Sequence, residues 1–138
     1  RTAGRRGTLL AAKHENSIAY DLCMRVAREY KDGSDLMIIV DNVSRKYFTS
    51  DVSWLWDIDF ETLNSGNVRK IILAGKYVND LIVRFDAAGI DRDRISMYED
   101  IHEAVASLDN GRSEYVYVLT CFSDKAKFLN EVTVTSEV

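Results

Sequence analysis

The chain has 138 residues, of which 46% are hydrophobic and 29% are charged, as in an ordinary globular protein of one domain. Its 18 basic and 22 acidic residues give a net charge of −4, which argues against binding of nucleic acid or an anionic membrane. Cys23 and Cys121 have neither the spacing of zinc ligands nor that of a CxxC motif, so we expect a cytoplasmic protein. A membrane helix needs about 20 apolar residues, and no apolar run is that long, so we expect no transmembrane segment.

Apolar, strand-like runs alternate along the chain with amphipathic helical stretches. A first strand is predicted at 8–13, and Asn16 or Ser17 then caps a helix that continues to about Lys31. The predicted buried stripe of this helix has helical spacing and consists of Ile18, Leu22, Val26 and Tyr30, with Ala19, Cys23 and Ala27 beside it. Residues 36–40 form a continuous apolar run, which is typical of a strand covered on both faces.

The second half of the chain continues the same alternation. The predicted elements up to residue 98 are a long loop at 41–57, a short helix at 60–64, a strand at 68–74, a helix at 77–88 and a strand at 94–98. Asp100 and Glu103 then form a capping box at the start of a helix, which is followed by a strand at 114–121 and a helix at 124–131. Gly75 allows a tight strand-to-helix turn, and Gly89 fits a helix C-cap.

This order of elements predicts an α/β fold. Alternating strands and helices are joined by right-handed crossovers, so we expect a three-layer sandwich with a mostly parallel sheet and helices on both faces. Residues 1–138 are predicted to form a single domain, with 1–7 and 133–138 as frayed tails.

Residues 51–61 are the most informative stretch, because they combine two tryptophans, a phenylalanine and four carboxylates: Asp-Val-Ser-Trp-Leu-Trp-Asp-Ile-Asp-Phe-Glu. Aromatic side chains stiffen a loop, so a carboxylate held by such a loop is aimed in one direction. By residue type alone, two structural interpretations remain open. One is a satellite hydrophobic cluster under a long loop. The other is an extended half-buried segment in which Trp54, Trp56, Ile58 and Phe60 alternate with mostly acidic residues.

The same stretch resembles the motif Asp-x-Ser-Trp-x-(Trp/Tyr)-Asp-x-Asp-Phe-Glu of the MurT C-terminal family, whose fold is that of Mur ligase C-terminal domains and is Rossmann-like. The resemblance covers about residues 8–132. It includes the apolar strand at 36–42, the next strand at 70–75, the helix at 77–89, and the last strand and short helix at 115–130. Two loops depart from the family: Phe48-Thr49-Ser50 replaces Asp-Gly-Arg, and residues 12–17 replace Ala-Lys-Asn-Pro-Ala-Gly.

The resemblance implies the C-terminal domain of an ATP-dependent ligase that amidates the D-glutamate of lipid II to D-isoglutamine with ammonia from glutamine. The complete enzyme would use ATP and Mg²⁺, with its N-terminal and ATP-binding central domains outside this chain. No GxGxxG or GxxxxGK[ST] motif occurs here, so we expect neither cofactor on this domain alone. The isolated domain is expected to be inactive, and its implied partner is a GatD-like glutamine amidotransferase.

Asp51 matches the family aspartate that completes a Cys-His-Asp triad, whose cysteine and histidine belong to the amidotransferase. A carboxylate in this role fixes the histidine tautomer and stabilises its positive charge. The alternative is that Asp51 only caps its own loop through backbone amides. Trp54 and Trp56 are the predicted docking residues, and the rival function is a non-catalytic α/β docking module.

Other polar residues are weaker candidates. Lys13, His14 and Asn16 match the loop through which Mur ligase C-terminal domains approach nucleotide and acceptor, although a lone histidine there is more often structural. The acidic residues of 57–61 lack calcium-loop spacing, so no metal site is predicted. His102 is expected to be a solvated helix residue, and Cys121 a buried packing thiol.

Overall fold

Five parallel strands form one sheet in the computed structural model, which describes residues 6–12, 17–41, 53–110, 115–121 and 124–132. The strands are β1 (Arg6–Ala12), β2 (Ser34–Ile39), β3 (Val68–Ala74), β4 (Ile95–Tyr98) and β5 (Tyr115–Cys121). Their order across the sheet is β1-β5-β2-β3-β4. β1 begins inside the predicted tail 1–7, because Arg6 and Gly7 pair with Tyr115 and Val116 of β5.

The described part of the chain contains four α-helices: α1 (Ser17–Glu29), α2 (Val78–Ala87), α3 (Ile101–Ala106) and α4 (Lys125–Leu129). Short 3₁₀ helices lie at Ser53–Asp57, Phe60–Asn64, Arg92–Arg94 and Ser107–Asn110. The strand at 68–74 and the short helix at 60–64 have their predicted bounds, whereas Ser53–Asp57 is helical where the sequence predicts a loop. Among these helices, none has the length and apolar character needed to span a membrane.

Helices cover both faces of the sheet, which confirms the predicted three-layer α/β sandwich. The core on the first face joins the sheet to α1, α2 and the 3₁₀ helices of 53–64, and includes Tyr20, Met24, Leu36, Ile38, Phe60, Ile71, Leu81 and Phe85. The core on the second face joins the sheet to α3 and α4, and includes Met37, Ile39, Ile72, Ala104, Leu108, Val118 and Phe128. Successive β2 side chains enter opposite cores, as the pleat of a strand requires.

The buried stripe of α1 differs from the predicted one. The helix buries Tyr20, Met24 and Ala27. Three residues of the predicted stripe are instead exposed, namely Ile18, Leu22 and Val26. The other predicted residues do face the core: Ala27 is buried, and Ala19, Cys23 and Tyr30 pack against it. Both sets have helical spacing, so periodicity cannot choose between them. A contact distant in sequence decides it, because Tyr20 packs against Trp54 with ring centroids 5.4 Å apart.

Gly75 brings the ends of three neighbouring strands together. Its φ is 108°, and an added Cβ would lie 2.4 Å from the Val40 carbonyl oxygen, so glycine is required at this turn. The Gly75 amide donates to the Tyr98 carbonyl at 3.0 Å, and the Tyr77 amide donates to the Val40 carbonyl at 3.1 Å. The carboxyl ends of β2, β3 and β4 therefore form one connected edge.

Candidate functional site

The carboxyl ends of the parallel strands lie at one edge of the sheet, where open α/β folds usually bind their ligands. After β2 the chain passes to the first face, and after β5 it passes to α4 on the second face. β2 and β5 are neighbours in the sheet, and the connections that follow them leave to opposite faces. This position is therefore a topological switch point. Asp41, Asp124 and Lys127 lie at this point.

Asp41, which follows β2, is held by groups from two other connections. Its backbone amide donates to Asp124 Oδ2 at 2.9 Å, and its Oδ1 accepts a hydrogen bond from the Lys76 backbone amide at 2.8 Å. Lys127 Nζ donates to Asp41 Oδ2 and lies 3.5 Å from Asp124 Oδ1. The chain is therefore fixed at Asp41, immediately before residues 42–52.

Lys127 balances two carboxylates of unequal burial. The Asp124 side chain is fully buried, whereas those of Asp41 and Lys127 are 22% and 38% exposed. Burial lowers the pKa of Lys127, but its hydrogen bond with Asp41 and the charges of Asp41 and Asp124 leave the pKa above the ordinary value. Lys127 is thus positively charged at neutral pH and offsets the buried negative charge, which would be costly without a partner.

Cys121 lies beside this cluster as a buried packing thiol, as predicted. It is 1% exposed, and its Sγ donates to Asp124 Oδ2 at 3.1 Å. The Tyr20 side chain is fully buried, and burial together with the nearby Cys121 and Asp124 raises its pKa. A nucleophilic thiol needs access to its substrate, which this burial denies.

A cleft of about 370 Å³ opens between the start of α3 and α4, with Asp41 in its wall. His102 Nδ1 and Glu131 Oε2 are 2.6 Å apart across it, and the hydrogen bond and charge of Glu131 raise the pKa of His102. The His102 side chain is 72% exposed, in agreement with the predicted solvated position. Carboxylates outnumber cations in the lining, which includes Asp41, Glu99, Asp100, His102, Lys127 and Glu131. This donor set does not fit the phosphates of a nucleotide.

Residues 53–64, the aromatic segment, pack into the core of the first face. Trp54 is 5% exposed, and Phe60 contacts Phe85 with ring centroids 4.8 Å apart. Trp56 is 56% exposed, so only one of the two predicted docking tryptophans presents its ring to solvent. The interpretation as an extended half-buried segment is wrong, because both halves are 3₁₀ helices. The interpretation as a hydrophobic cluster is correct, but the cluster is part of the main core and is not the predicted satellite.

Arg84 of α2 binds both 3₁₀ helices of the aromatic segment. Its side chain is 6% exposed, and it donates from Nε to the Leu55 carbonyl at 3.0 Å and from Nη2 to the Ile58 carbonyl at 2.7 Å. Nη2 also donates to Glu61 Oε2 at 3.1 Å. The guanidinium carbon lies 5.2 Å from the ring centre of Trp56 and 5.4 Å from that of Phe60. This buried charge is therefore well partnered.

Several predicted site residues lie outside the described residues, namely Asp51, Lys13, His14 and Asn16. Of the acidic residues after Trp56, Glu61 pairs with Arg84, and the Asp59 amide donates to Asp21 Oδ1 at 2.9 Å. Within the described ranges, no three His, Cys, Asp or Glu side chains are grouped so as to hold a metal ion.

Sequence reasoning assigned no site role to Lys127 or Arg84. The local signal at Lys127 is weak: Asp124 lies three residues before it, but its hydrogen-bonded partner Asp41 is 86 residues away. Arg84 does give a local signal in the sequence. It follows Leu81 by three residues and therefore lies on the buried face of α2, where an unpaired charge would be destabilising.

Comparison with known proteins matches the chain to one family. The profile of the MurT ligase C-terminal family matches residues 11–124. A stretch of 78 residues, 56% of the chain, is 22% identical to subunit MurT of the glutamine-hydrolyzing lipid II isoglutaminyl synthase of Streptococcus pneumoniae. This stretch spans only 17% of that relative's length.

Proposed function

Because the chain belongs to the MurT ligase C-terminal family, we propose that it is the C-terminal domain of a ligase subunit that amidates the D-glutamate of lipid II to D-isoglutamine. The ammonia comes from glutamine, which a GatD-like amidotransferase subunit hydrolyses. The domain docks that partner and contributes Asp51 to its Cys-His-Asp triad. The amidating activity in this proposal is that of the synthase to which the Streptococcus pneumoniae relative belongs.

The observation that best supports a role for Asp51 is the fixed frame on either side of residues 42–52. On one side, Asp41 is bound by Asp124, Lys127 and the Lys76 amide. On the other side, the aromatic segment begins at Ser53 and is bound to α2 by Arg84. Asp51 itself lies outside the described residues, two positions before the aromatic segment.

The chemistry assigned to Asp51 is that of a histidine-orienting carboxylate. It accepts a hydrogen bond from one ring nitrogen of the partner histidine, which leaves the other nitrogen free to take the proton of the cysteine thiol. The thiolate then attacks the carboxamide carbon of glutamine, the imidazolium gives its proton to the nitrogen that leaves as ammonia, and water hydrolyses the resulting thioester. Asp51 also stabilises the imidazolium formed in this step.

The proposed part of this domain in the ATP-dependent step is limited. In the cleft between α3 and α4, carboxylates outnumber cations. We therefore assign the binding of ATP and Mg²⁺ to parts of the enzyme outside this chain. In this proposal the domain approaches the nucleotide and the acceptor through Lys13, His14 and Asn16. No step through the nucleotide is assigned to the described residues.

A second candidate is a non-catalytic docking module. The exposed ring of Trp56 favours it, since aromatic side chains are frequent anchors of protein interfaces. Both functions place Trp56 at an interface, but only the first requires the carboxylate of Asp51.

Docking can be tested by fluorine NMR of a chain labelled with fluorotryptophan, because Trp54 and Trp56 are its two tryptophans. On addition of the amidotransferase, we expect the Trp56 resonance to shift as its ring leaves solvent. The Trp54 resonance is the internal control and should stay in place, because that ring is already buried. A Trp56→Phe variant assigns the two signals. Binding with an unchanged Trp56 resonance would place the docking surface elsewhere.

A further inference from the structure

We propose that the Arg84–Glu61 pair pre-organises Trp56 as the anchor for the partner subunit, an inference that rests on the docking role proposed above. The ring of Trp56 is 56% exposed, whereas its neighbours Trp54 and Leu55 are buried. A side chain left in water ordinarily changes rotamer freely. The contacts beneath Trp56 hold its ring in one place instead.

Arg84 fixes the backbone on both sides of Trp56. Its Nε donates to the Leu55 carbonyl at 3.0 Å, and its Nη2 donates to the Ile58 carbonyl at 2.7 Å. Leu55 directly precedes Trp56 in the sequence, and Ile58 follows it by two residues. One guanidinium therefore holds the backbone from which the Trp56 side chain projects.

The same guanidinium also supports the ring. Its carbon lies 5.2 Å from the ring centre of Trp56 and 5.4 Å from that of Phe60, which is fully buried. A guanidinium over an aromatic face is attracted by the negative charge of the π system. Glu61 accepts a hydrogen bond from Nη2 and keeps the guanidinium in this position. Arg84 thus ties the exposed ring to the core.

A pre-organised aromatic ring is a strong anchor for a partner protein. Binding ordinarily immobilises flexible side chains at the interface, which lowers the affinity. A ring that is already held loses little freedom, so more of the free energy from burying its apolar area remains as affinity. The partner surface that fits this anchor is an apolar pocket for an indole ring. Its rim carries no carboxylate, because the carboxylate of Glu61 is 48% exposed beside the ring.

This role requires arginine in particular. The guanidinium is a planar fork that binds two carbonyls and stacks on a ring at once, whereas the lysine ammonium is a single point charge. Lysine at position 84 keeps a positive charge beside Glu61 but cannot reproduce this set of contacts. Arg84→Lys therefore separates the geometry of the contacts from the charge.

Arg94 offers a matched control at the far end of the aromatic segment. Its Nη1 donates to the Leu63 carbonyl at 2.9 Å, and its Nη2 donates to the Val68 carbonyl at 2.6 Å. Like Arg84, Arg94 braces backbone carbonyls through a fork of donors. Neither of its acceptors flanks Trp56, so its replacement should loosen the fold locally without freeing the ring.

The first measurement is fluorine NMR of the chain labelled with fluorotryptophan, without the partner. In Arg84→Lys, the Trp56 resonance should become narrower, because a freed ring moves faster. The buried Trp54 is the internal control, and its linewidth should not change. Arg94→Lys should leave both linewidths at their wild-type values. An unchanged Trp56 linewidth in Arg84→Lys would overturn the proposal.

The second measurement is the Kd for the amidotransferase, with Trp56→Ala as the reference variant. Loss of the anchor itself should raise Kd by at least about 30-fold. Arg84→Lys should raise Kd by about 3- to 10-fold, because binding then has to immobilise the Trp56 side chain. Arg94→Lys should leave Kd near the wild-type value. Equal increases in the Arg84 and Arg94 variants would contradict the proposal.

Non-additivity gives the decisive result. In the Trp56→Ala background, Arg84→Lys should cause no further rise in Kd, because no ring remains to be held. A rise of equal size in both backgrounds would overturn the pre-organising role and leave docking through Trp56 intact. If Trp56→Ala alone leaves Kd unchanged, docking through Trp56 fails, and the pre-organising role fails with it.

Glu61→Gln provides a second variant if Arg84→Lys does not fold. It weakens the ion pair that keeps the guanidinium under Trp56 and leaves the bonds to the two carbonyls. We expect a smaller narrowing of the Trp56 resonance and a smaller rise in Kd, which also disappears in the Trp56→Ala background. An unchanged linewidth, or a rise in Kd of equal size in both backgrounds, would contradict the proposal.

Discussion

One side-chain contact, between His102 and Glu131, joins the start of α3 to the residue two positions after α4. The hydrogen bond and charge of Glu131 raise the pKa of His102 above its ordinary value of 6.5, with smaller contributions from Asp100 and Glu103. A raised pKa in the folded state means that protonation favours folding. The stabilisation is complete below about pH 6.5 and is lost as the pH rises through the folded-state pKa.

We therefore expect His102→Gln to lower the free energy of unfolding at about pH 5.5 and to have little effect at about pH 9. The effect should be small, because solvent screens exposed ion pairs. Urea unfolding of the wild-type chain and the variant at both pH values measures it. A loss of equal size at the two pH values would show that the charge of His102 does not stabilise the fold.

For single residues, the sequence predicts those structural roles that the residue type and its neighbours in sequence determine. Cys121 ends a predicted strand and has no histidine in a matching loop, so it is predicted as a buried thiol. Gly75 is predicted as a tight turn because glycine tolerates positive φ. The pairing of Asp41 with Lys127 cannot be predicted in this way, because it depends on two connections meeting at the edge of the sheet. No local pattern in the sequence marks such a pair.

Among the elements, α1 shows where periodicity alone is insufficient. Its apolar residues surround most of the helix, so more than one stripe fits a spacing of three or four residues. The stripe that is buried is the one that meets Trp54 of the aromatic segment, through Tyr20. In the aromatic segment, the short helix at 60–64 is predicted, but the helix at Ser53–Asp57 is not, because 3₁₀ helices are too short to leave a periodic pattern.

Paired substitutions on α1 test which face it buries. Met24→Ala should lower the free energy of unfolding by about 2–5 kcal/mol, because Met24 is fully buried in the first core. Leu22→Ala, on the exposed side, should change it by no more than about 0.5 kcal/mol. Urea unfolding of both variants checks the ranking. A larger effect for Leu22→Ala would restore the stripe predicted from periodicity.

For the whole molecule, alternating elements and right-handed crossovers predict a layered α/β fold, and both layers of helices are found. The strand order β1-β5-β2-β3-β4 is beyond such reasoning, because several orders satisfy the same rules. That order places Asp41, Asp124 and Lys127 at the switch point. The resemblance of residues 51–61 to the family motif identified the family, which the match over residues 11–124 confirms.

The central claim is that Asp51 completes the triad of the amidotransferase, and Asp51→Asn in the complete complex tests it most directly. Asparagine keeps the shape but removes the charge, and it can favour the wrong histidine tautomer. In serine proteases the same change in the triad lowers turnover about 10⁴-fold, so glutaminase turnover should fall by up to about that factor. Complex assembly and amidation from added ammonia should be retained.

Asp57→Asn is the matched control, because Asp57 is an exposed carboxylate of the same segment. Its glutaminase turnover should remain close to wild type. The measurement is therefore the rate of ammonia release from glutamine by the wild-type, Asp51→Asn and Asp57→Asn complexes. We predict a large loss for Asp51→Asn only; a near wild-type rate in that variant would show that Asp51 is not the third member of the triad.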